Sequence, residues 1–253
     1  MNKFYRPDID ALRGISVLSV VLYHAKIQLF GKDFFIGGFI GVDIFFIITG
    51  FLITKLLLIE YETYKDIDIT AFYKRRIRRL IPALVFVLLI SSLLSYFVLD
   101  PIKLKEFSAS LFTSLFFTAN IYFHYFGDFY GNDVNLKKPL LHLWSLGIEE
   151  QFYILYPLVL LFILKYLKKY LLFFLILGFL ISLGFAQYAS THHRMFSFYM
   201  LPSRAWEILS GSILAYILIK KQNIFFINKK IGNLFFFSSI LVIVLSFLFF
   251  EIY

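Results

Sequence analysis

Arg13 and His24 stand eleven positions apart in ALRGISVLSVVLYHAKI, residues 11–27, a stretch apolar enough to enter a bilayer. On a helix, eleven residues make three turns plus about 20°, so both side chains leave one face, roughly 16 Å apart along the axis. A histidine at membrane depth is a functional candidate. Its imidazole can act as a general base, carry an acyl group or relay a proton. An arginine at the mouth of the same helix either snorkels to the interface or meets an anion. Four carboxylates sit in similar surroundings: Asp43, Glu149, Glu150 and Glu207. Facing lipid they would together cost on the order of 10 kcal/mol, so they are expected to face the interior or a wet cavity and to be paired. A carboxylate beside His24 would orient its ring and stabilise the imidazolium, as the third member of a triad does. Asp43, Glu149 and Glu150 are the candidates. Arg204 precedes Glu207 by three residues, a same-face spacing that also suits a purely structural pair.

LLHLWSLGIEEQFYILYP, residues 140–157, adds further chemistry. His142 and Ser145 lie seven and four residues before Glu149, both near one face. Trp144 and Tyr153 suit a membrane interface or a sugar platform. Glu149 and Glu150 point about 100° apart, so one is expected in a cavity and the other in a structural pair. Pro157 cannot donate to the Tyr153 carbonyl, so a kink is expected there. FYKRRIRRLIP, residues 72–82, sets Arg75, Arg76, Arg78 and Arg79 at the start of an apolar run. They are either a positive-inside anchor or a phosphate site, since arginine forks bind phosphate oxygens and a helix N-terminus adds its dipole. An anionic cofactor docked there would send a long thioester arm toward His24. In GGFIGVDIFFIITGFLIT, residues 37–54, Gly37 and Gly41 have GxxxG spacing, a packing signal.

The elements that must carry these residues are membrane helices. Of 253 residues, 60% are hydrophobic, and the mean hydropathy is +0.80. The excess is gathered into eight apolar segments, 13–30, 36–59, 80–99, 107–126, 143–164, 171–189, 203–219 and 231–250. Each is near the roughly 20 residues that a spanning helix needs. The expected fold is an all-α polytopic bundle of seven to eight helices forming a single domain over 1–253. Lys and Arg outnumber Asp and Glu, 25 to 16. These charges lie between the apolar runs, which reads as topology signalling and not as nucleic-acid binding. The chain has no cysteine, which excludes disulfides, thiolate metal sites and an acyl-cysteine intermediate.

The basic clusters are Lys3/Arg6, 74–79, Lys165/Lys168/Lys169, 220–221 and 229–230. All fall on the cytoplasmic side if the N-terminus is inside and segment 107–126 does not fully cross. That segment is the most polar of the eight, with Ser108, Ser110, Thr113, Ser114, Thr118 and Asn120, and is expected to be re-entrant or surface-lying. With this topology His24, Asp43, Glu149, Glu150, Arg204 and Glu207 gather toward the outer side. The first helix is read as uncleaved, because acidic residues crowd its front and no small-residue cleavage site follows.

Five stretches together resemble acyltransferase family 3, the integral-membrane acyltransferases that O-acetylate cell-surface polysaccharides. They are YRPDIDALRG with the R-x10-H spacing, GGFIGVDIFFIITGFLIT, FYKRRIRRLIP, LLHLWSLGIEEQFY and SRAWEILSGSILA, in order from residue 5 to about 215. The resemblance implies an acyl-CoA donor, acetyl-CoA in the commonest case, entering from the cytoplasm. It implies an acceptor hydroxyl on a cell-surface glycan or lipid-linked sugar outside. It places the essential histidine at His24, its arginine partner at Arg13 and the cytoplasmic arginines at 75–79. Trp144, Arg204 and Glu207 are the substrate-side candidates, and no metal is expected. The family has about ten helices, often followed by an extracytoplasmic domain, so this chain is expected to lack the last helices. Two rivals remain at this level: a proton- or solute-coupled transporter, and an inactive short relative.

Overall fold

The structure, a computed structural model, describes residues 7–29, 32–33, 35–128, 138–220 and 229–249. The topology signals assigned to Lys3, Arg6, Lys221, Lys229 and Lys230 lie outside the described residues or side chains. The helices described are α1 (Pro7–His24), α2 (Ile40–Tyr64), α3 (Ile69–Val98), α4 (Pro101–Leu115), α5 (Ala119–Phe126), α6 (Leu143–Tyr166), α7 (Leu171–His192), α8 (Arg194–Tyr199), α9 (Leu201–Lys220) and α10 (Lys229–Phe249). A 3-10 turn, Lys168–Tyr170, precedes α7. The one departure from helix among these elements is a two-residue antiparallel ladder, β1 (Gln28–Leu29) with β2 (Lys32–Asp33).

Among the described residues, four helices are long and apolar enough to cross a membrane: Ile40–Tyr64, Ile69–Val98, Leu143–Tyr166 and Lys168–His192. This corrects the expected seven to eight, for local reasons. The 13–30 run does not continue as helix. α1 starts earlier, among Asp8, Asp10 and Arg13, and ends at His24, where Lys26 turns left-handed (φ 46°) ahead of the ladder. His24 is thus the last residue of α1, not a residue within a longer span. α9 carries Arg204, Glu207 and Lys220, and the described apolar stretch of α10, Phe237–Phe249, is a short one. On α3, Phe86, Leu89, Leu93 and Phe97 are 59–76% exposed. An apolar stripe of that size suits lipid and not water.

Segment 107–126 is two helices. α4 is started by Asp100, whose carboxylate accepts the Lys103 N–H (2.9 Å), with Pro101 at the first helical position. It ends at Phe116, and Phe117 is left-handed (φ 55°). The Thr118 N–H and hydroxyl both donate to the Thr113 carbonyl (2.9 and 3.1 Å). The polar residues that set this segment apart mostly satisfy their own backbone: Ser108 donates to Leu104 O, Ser110 to Phe107 O, Ser114 to Ser110 O and Thr113 to Ala109 O.

The chain divides into two compact units, one of Met1–Lys55 with Glu207–Tyr253 and one of Leu56–Trp206. In the first, α2 meets α1 and α9 at glycines. A Cβ on Gly38 or Gly41 would strike the Ser19 or Ser16 carbonyl of α1, and one on Gly50 would strike the Ile208 carbonyl of α9. Gly211 of α9 stands in the same relation to the Ile47 carbonyl. The close approach to α1 thus uses Gly38 and Gly41, while Gly37 donates its N–H to Phe247 O (3.0 Å). Ile9, Ile48, Phe51 and Ala215 form a small core beside these crossings.

In the second unit, Asp68 caps α3 by accepting the Ala71 N–H (2.8 Å). The helix therefore begins before the apolar run of residues 80–99, as a charged extension. Arg75–Arg79 lie past its first turn, beyond the reach of the N-terminal dipole expected to help them. α6 continues through Pro157. It is tied to its neighbours by the Tyr61 hydroxyl donating to Leu164 O (2.9 Å) and the Tyr73 hydroxyl donating to Ile154 O (2.7 Å).

Lys165, at the end of α6, pairs with Asp66 in the α2–α3 turn (3.0 Å). The hydrogen bond from Lys165, then that from the Ile67 N–H, holds the Asp66 carboxyl below its ordinary range. A depressed carboxyl stabilises the fold above its unfolded value and ceases to do so once acid protonates it. Wild type should lose a small increment of thermal stability below about pH 4, and Asp66→Asn should lack that increment at neutral pH. Melting curves in detergent between the two pH values check this.

Candidate active site

A charged cluster of the second unit joins α3 to α6. Arg76 Nη2 lies 3.4 Å from Glu149 Oε1 and 3.2 Å from Glu150 Oε1. The Arg76 guanidinium carbon lies 3.4 Å from the centroid of the Tyr153 ring. The Tyr153 hydroxyl donates to Glu149 Oε1 (2.7 Å). The helical separation of Glu149 and Glu150 predicted different surroundings for the two. Their long side chains instead converge on one guanidinium, so that expectation is corrected. Both glutamates and Tyr153 are buried. A flat, weakly hydrated guanidinium suits this place, because it can cover a ring with its face and meet carboxylates at its edge.

The other cations of the 72–82 stretch point away. Lys74, Arg75, Arg78 and Arg79 are exposed. Arg75 makes a 3.4 Å contact with Glu60 while 55% of its side chain stays exposed.

Near the start of α6, Trp144 is 1% exposed and packs on Phe198 and Tyr199 of α8 (centroids 4.6 and 5.5 Å). Arg204 lies over Trp144 and Phe198 (5.7 and 5.0 Å), and its Nε donates to Phe198 O (3.2 Å). His142 is exposed just before α6, and the Ser145 hydroxyl donates to its carbonyl (3.1 Å). Among the described residues, the buried Tyr199 hydroxyl finds no hydrogen-bond partner. Burial, then the Asp128 charge, raises its pKa, so it stays a neutral phenol.

Behind Trp144 a polar knot ties the α4–α5 break to α6. Gln151 Nε2 donates to Asn120 Oδ1 (2.8 Å) and to Phe117 O (3.0 Å), and Asn120 Nδ2 donates to Tyr199 O (3.1 Å). Sequence reasoning missed both partners, since nothing in an amide's position announces what it will meet. Asn120 is fully buried. Asn120→Ala should cost roughly 1–3 kcal/mol by orphaning buried groups, read as a lowered melting temperature in detergent.

In the first unit, Arg13 lies over the Phe45 ring of α2 (5.4 Å). His24 is partly buried and meets the Tyr23 ring edge-on (5.2 Å), and Tyr23 in turn meets Phe39 (5.9 Å). Asp43 is in the first turn of α2 and partly buried. Glu207 is 1% exposed within α9. Arg13, His24, Asp43 and Glu207 thus belong to the first unit, whereas Arg75–Arg79, Trp144, Glu149, Glu150 and Arg204 belong to the second. Among the described residues, no group of three or more His, Cys, Asp or Glu side chains is placed to hold a metal ion.

The family model of an acyltransferase domain, that of acyltransferase family 3, matches residues 6–253. The chain is 37% identical over 223 residues to the peptidoglycan O-acetyltransferase OatA of Listeria monocytogenes, covering 85% of this chain and 34% of that protein. It is 37% identical over 235 residues to the O-acetyltransferase OatA of Staphylococcus aureus, covering 90% of this chain and 37% of that protein. The chain spans about a third of the length of these curated relatives. No solved structure matches it.

Proposed function

The chain belongs to acyltransferase family 3, and we propose that it moves an acetyl group from cytoplasmic acetyl-CoA to a hydroxyl of a cell-wall glycan outside the membrane. The observation that carries this reading is a family match over almost the whole chain, joined to relatives named as O-acetyltransferases. Four helices able to cross a membrane fit a protein working between two compartments. The membrane we assign is the cell membrane, with the N-terminus cytoplasmic.

Bound acyl-CoA supplies an activated thioester and three phosphate groups. The residues present fit the phosphates, because Lys74, Arg75, Arg78 and Arg79 are exposed cations on one helix. We assign donor binding to the exposed arginines of the 72–82 stretch, Arg75, Arg78 and Arg79, and propose Arg13, on α1, as an anion-binding residue of the first unit. His24 acts as general base: it takes the proton of the acceptor hydroxyl as the oxygen forms its bond to the acyl carbon, and returns a proton to the departing thiolate. The carbon–sulfur bond breaks, an ester forms, and CoA leaves as the thiol. Asp43, in the same unit as His24, is the carboxylate we assign to its orientation, and Glu149 and Glu150 are proposed as further carboxylates that acyl transfer requires. Arg204 and Glu207 are assigned to the acceptor side, with Trp144 packed against Arg204.

The test uses membrane vesicles carrying the chain and labelled acetyl-CoA supplied on the cytoplasmic face. Base-labile label should appear on glycan on the other face, and should be missing from vesicles without the chain. Equal labelling in both would sink the reading. Proton or solute flux without label transfer would favour a transporter.

A further inference from the structure

We propose that Arg76 is a positioning residue that fixes Glu149 and Glu150, and that the donor's phosphates are held by Arg78 and Arg79 instead. This rests on the acyl-CoA reading above and divides one sequence motif into two jobs. On the α3 helix, with Lys74 at zero, Arg78 lies at about 40°, Arg75 at about 100° and Arg79 at about 140°. Arg76 lies at about 200° and Tyr73 at about 260°, on the side that meets α6. The contacts follow this division. Tyr73 donates to Ile154 O (2.7 Å), and Arg76 reaches Glu149 and Glu150. Lys74, Arg75, Arg78 and Arg79 are exposed.

The surroundings of Arg76 suit carboxylates and disfavour a phosphate. One face of its guanidinium is covered by Tyr153, and its Nη2 is shared by two carboxylates. A phosphate brought to the same fork would meet those two negative charges at contact range, where like charges repel strongly. Only 25% of the Arg76 side chain is exposed, against 55% for Arg75. Removing Arg76 would leave Glu149 and Glu150 buried beside each other without this cation between them, free to turn or to take up a proton. Lysine is a poor substitute, because a point ammonium cannot lie flat on Tyr153 and offer a planar edge to both glutamates. Arg78 and Arg79 carry no such engagement: among the described residues neither makes an ion pair, and both are exposed.

The experiment measures CoA affinity and acetyl transfer separately on purified full chain in detergent, with turnover normalised to the folded fraction. Arg78→Gln with Arg79→Gln should raise the CoA Kd roughly 10- to 100-fold, the loss of one or two charge-assisted contacts. Arg76→Gln should leave that Kd within about threefold while kcat falls at least about tenfold, and Arg76→Lys should not restore kcat. Should Arg76→Gln fail to fold, the combined variant Arg76→Gln, Glu149→Gln, Glu150→Gln removes the charges together and should retain CoA affinity. Arg76→Gln, or that combined variant, weakening CoA binding as much as the Arg78/Arg79 variant would overturn the proposal, as would recovery of kcat in Arg76→Lys. A wild-type chain that binds no CoA overturns the donor reading and the phosphate assignment with it. Intact CoA binding with loss confined to Arg76 variants overturns the division of labour alone.

Discussion

His24→Ala should lower glycan O-acetylation by about 10²- to 10⁴-fold, the usual contribution of a positioned general base. An acceptor hydroxyl holds its proton tightly at neutral pH, so without the imidazole the attacking oxygen stays a poor nucleophile. The substitution should not disturb membrane insertion. His24 is the terminal residue of α1 and only partly buried, so truncating it removes little packing. His192→Ala is the matched control. His192 is exposed at the end of α7 and stacks on Tyr188 (4.4 Å), and its loss should leave acetylation unchanged. The readout is ester-linked acetate released from cell-wall glycan, with the membrane-borne protein quantified in parallel. Wild-type acetylation by His24→Ala would remove the base assignment.

The second large effect is structural. Gly50→Ala and Gly211→Ala should each destabilise the first unit by about 1–3 kcal/mol, the usual cost of overpacking. Gly50 meets the Ile208 carbonyl of α9, and Gly211 meets the Ile47 carbonyl of α2. These neighbours are backbone, which cannot rotate aside as a side chain can, so α2 and α9 must move apart. The Ser212 hydroxyl, which donates to Gly50 O (3.4 Å) across this crossing, would lose that contact as well. Small residues that let backbones approach are what drives helix pairing in lipid. Gly184→Ala in α7 provides the contrast, since nothing lies within 4 Å of its added Cβ. It should be neutral or stabilising, because alanine suits a helix interior better than glycine. Protease resistance and melting temperature in detergent should separate the two classes. Equal behaviour of Gly50→Ala and Gly184→Ala would contradict this account.

Much of this was legible in the residues. The long apolar runs with charges between them predict a helical membrane protein, because a bilayer tolerates few other arrangements. The stretches that carry the Arg13–His24 spacing, the 72–82 arginines and the paired glutamates resemble one family, and the family match over residues 6–253 agrees. Segment lengths were less legible. A hydropathy window cannot see that α3 begins at Ile69, since those turns are charged. The cap at Asp68 was the available signal for it. The break at Phe117 carries no glycine or proline, and it rests on Thr118 bonding back to Thr113 and on Gln151 Nε2 of α6 donating to the freed Phe117 carbonyl.

By itself, then, the sequence determined the membrane class, the helical content, the family and the list of ionisable residues to watch. The family follows from the resemblance of five stretches taken in order, and the rest from local composition and spacing. Tertiary structure alone decided which arginine of four turns toward the glutamates, which glycines lie at helix crossings, and that an apolar run of the right length is two short helices. Each of these depends on what stands opposite a residue in space, and a neighbour a hundred positions away leaves no mark on the local pattern.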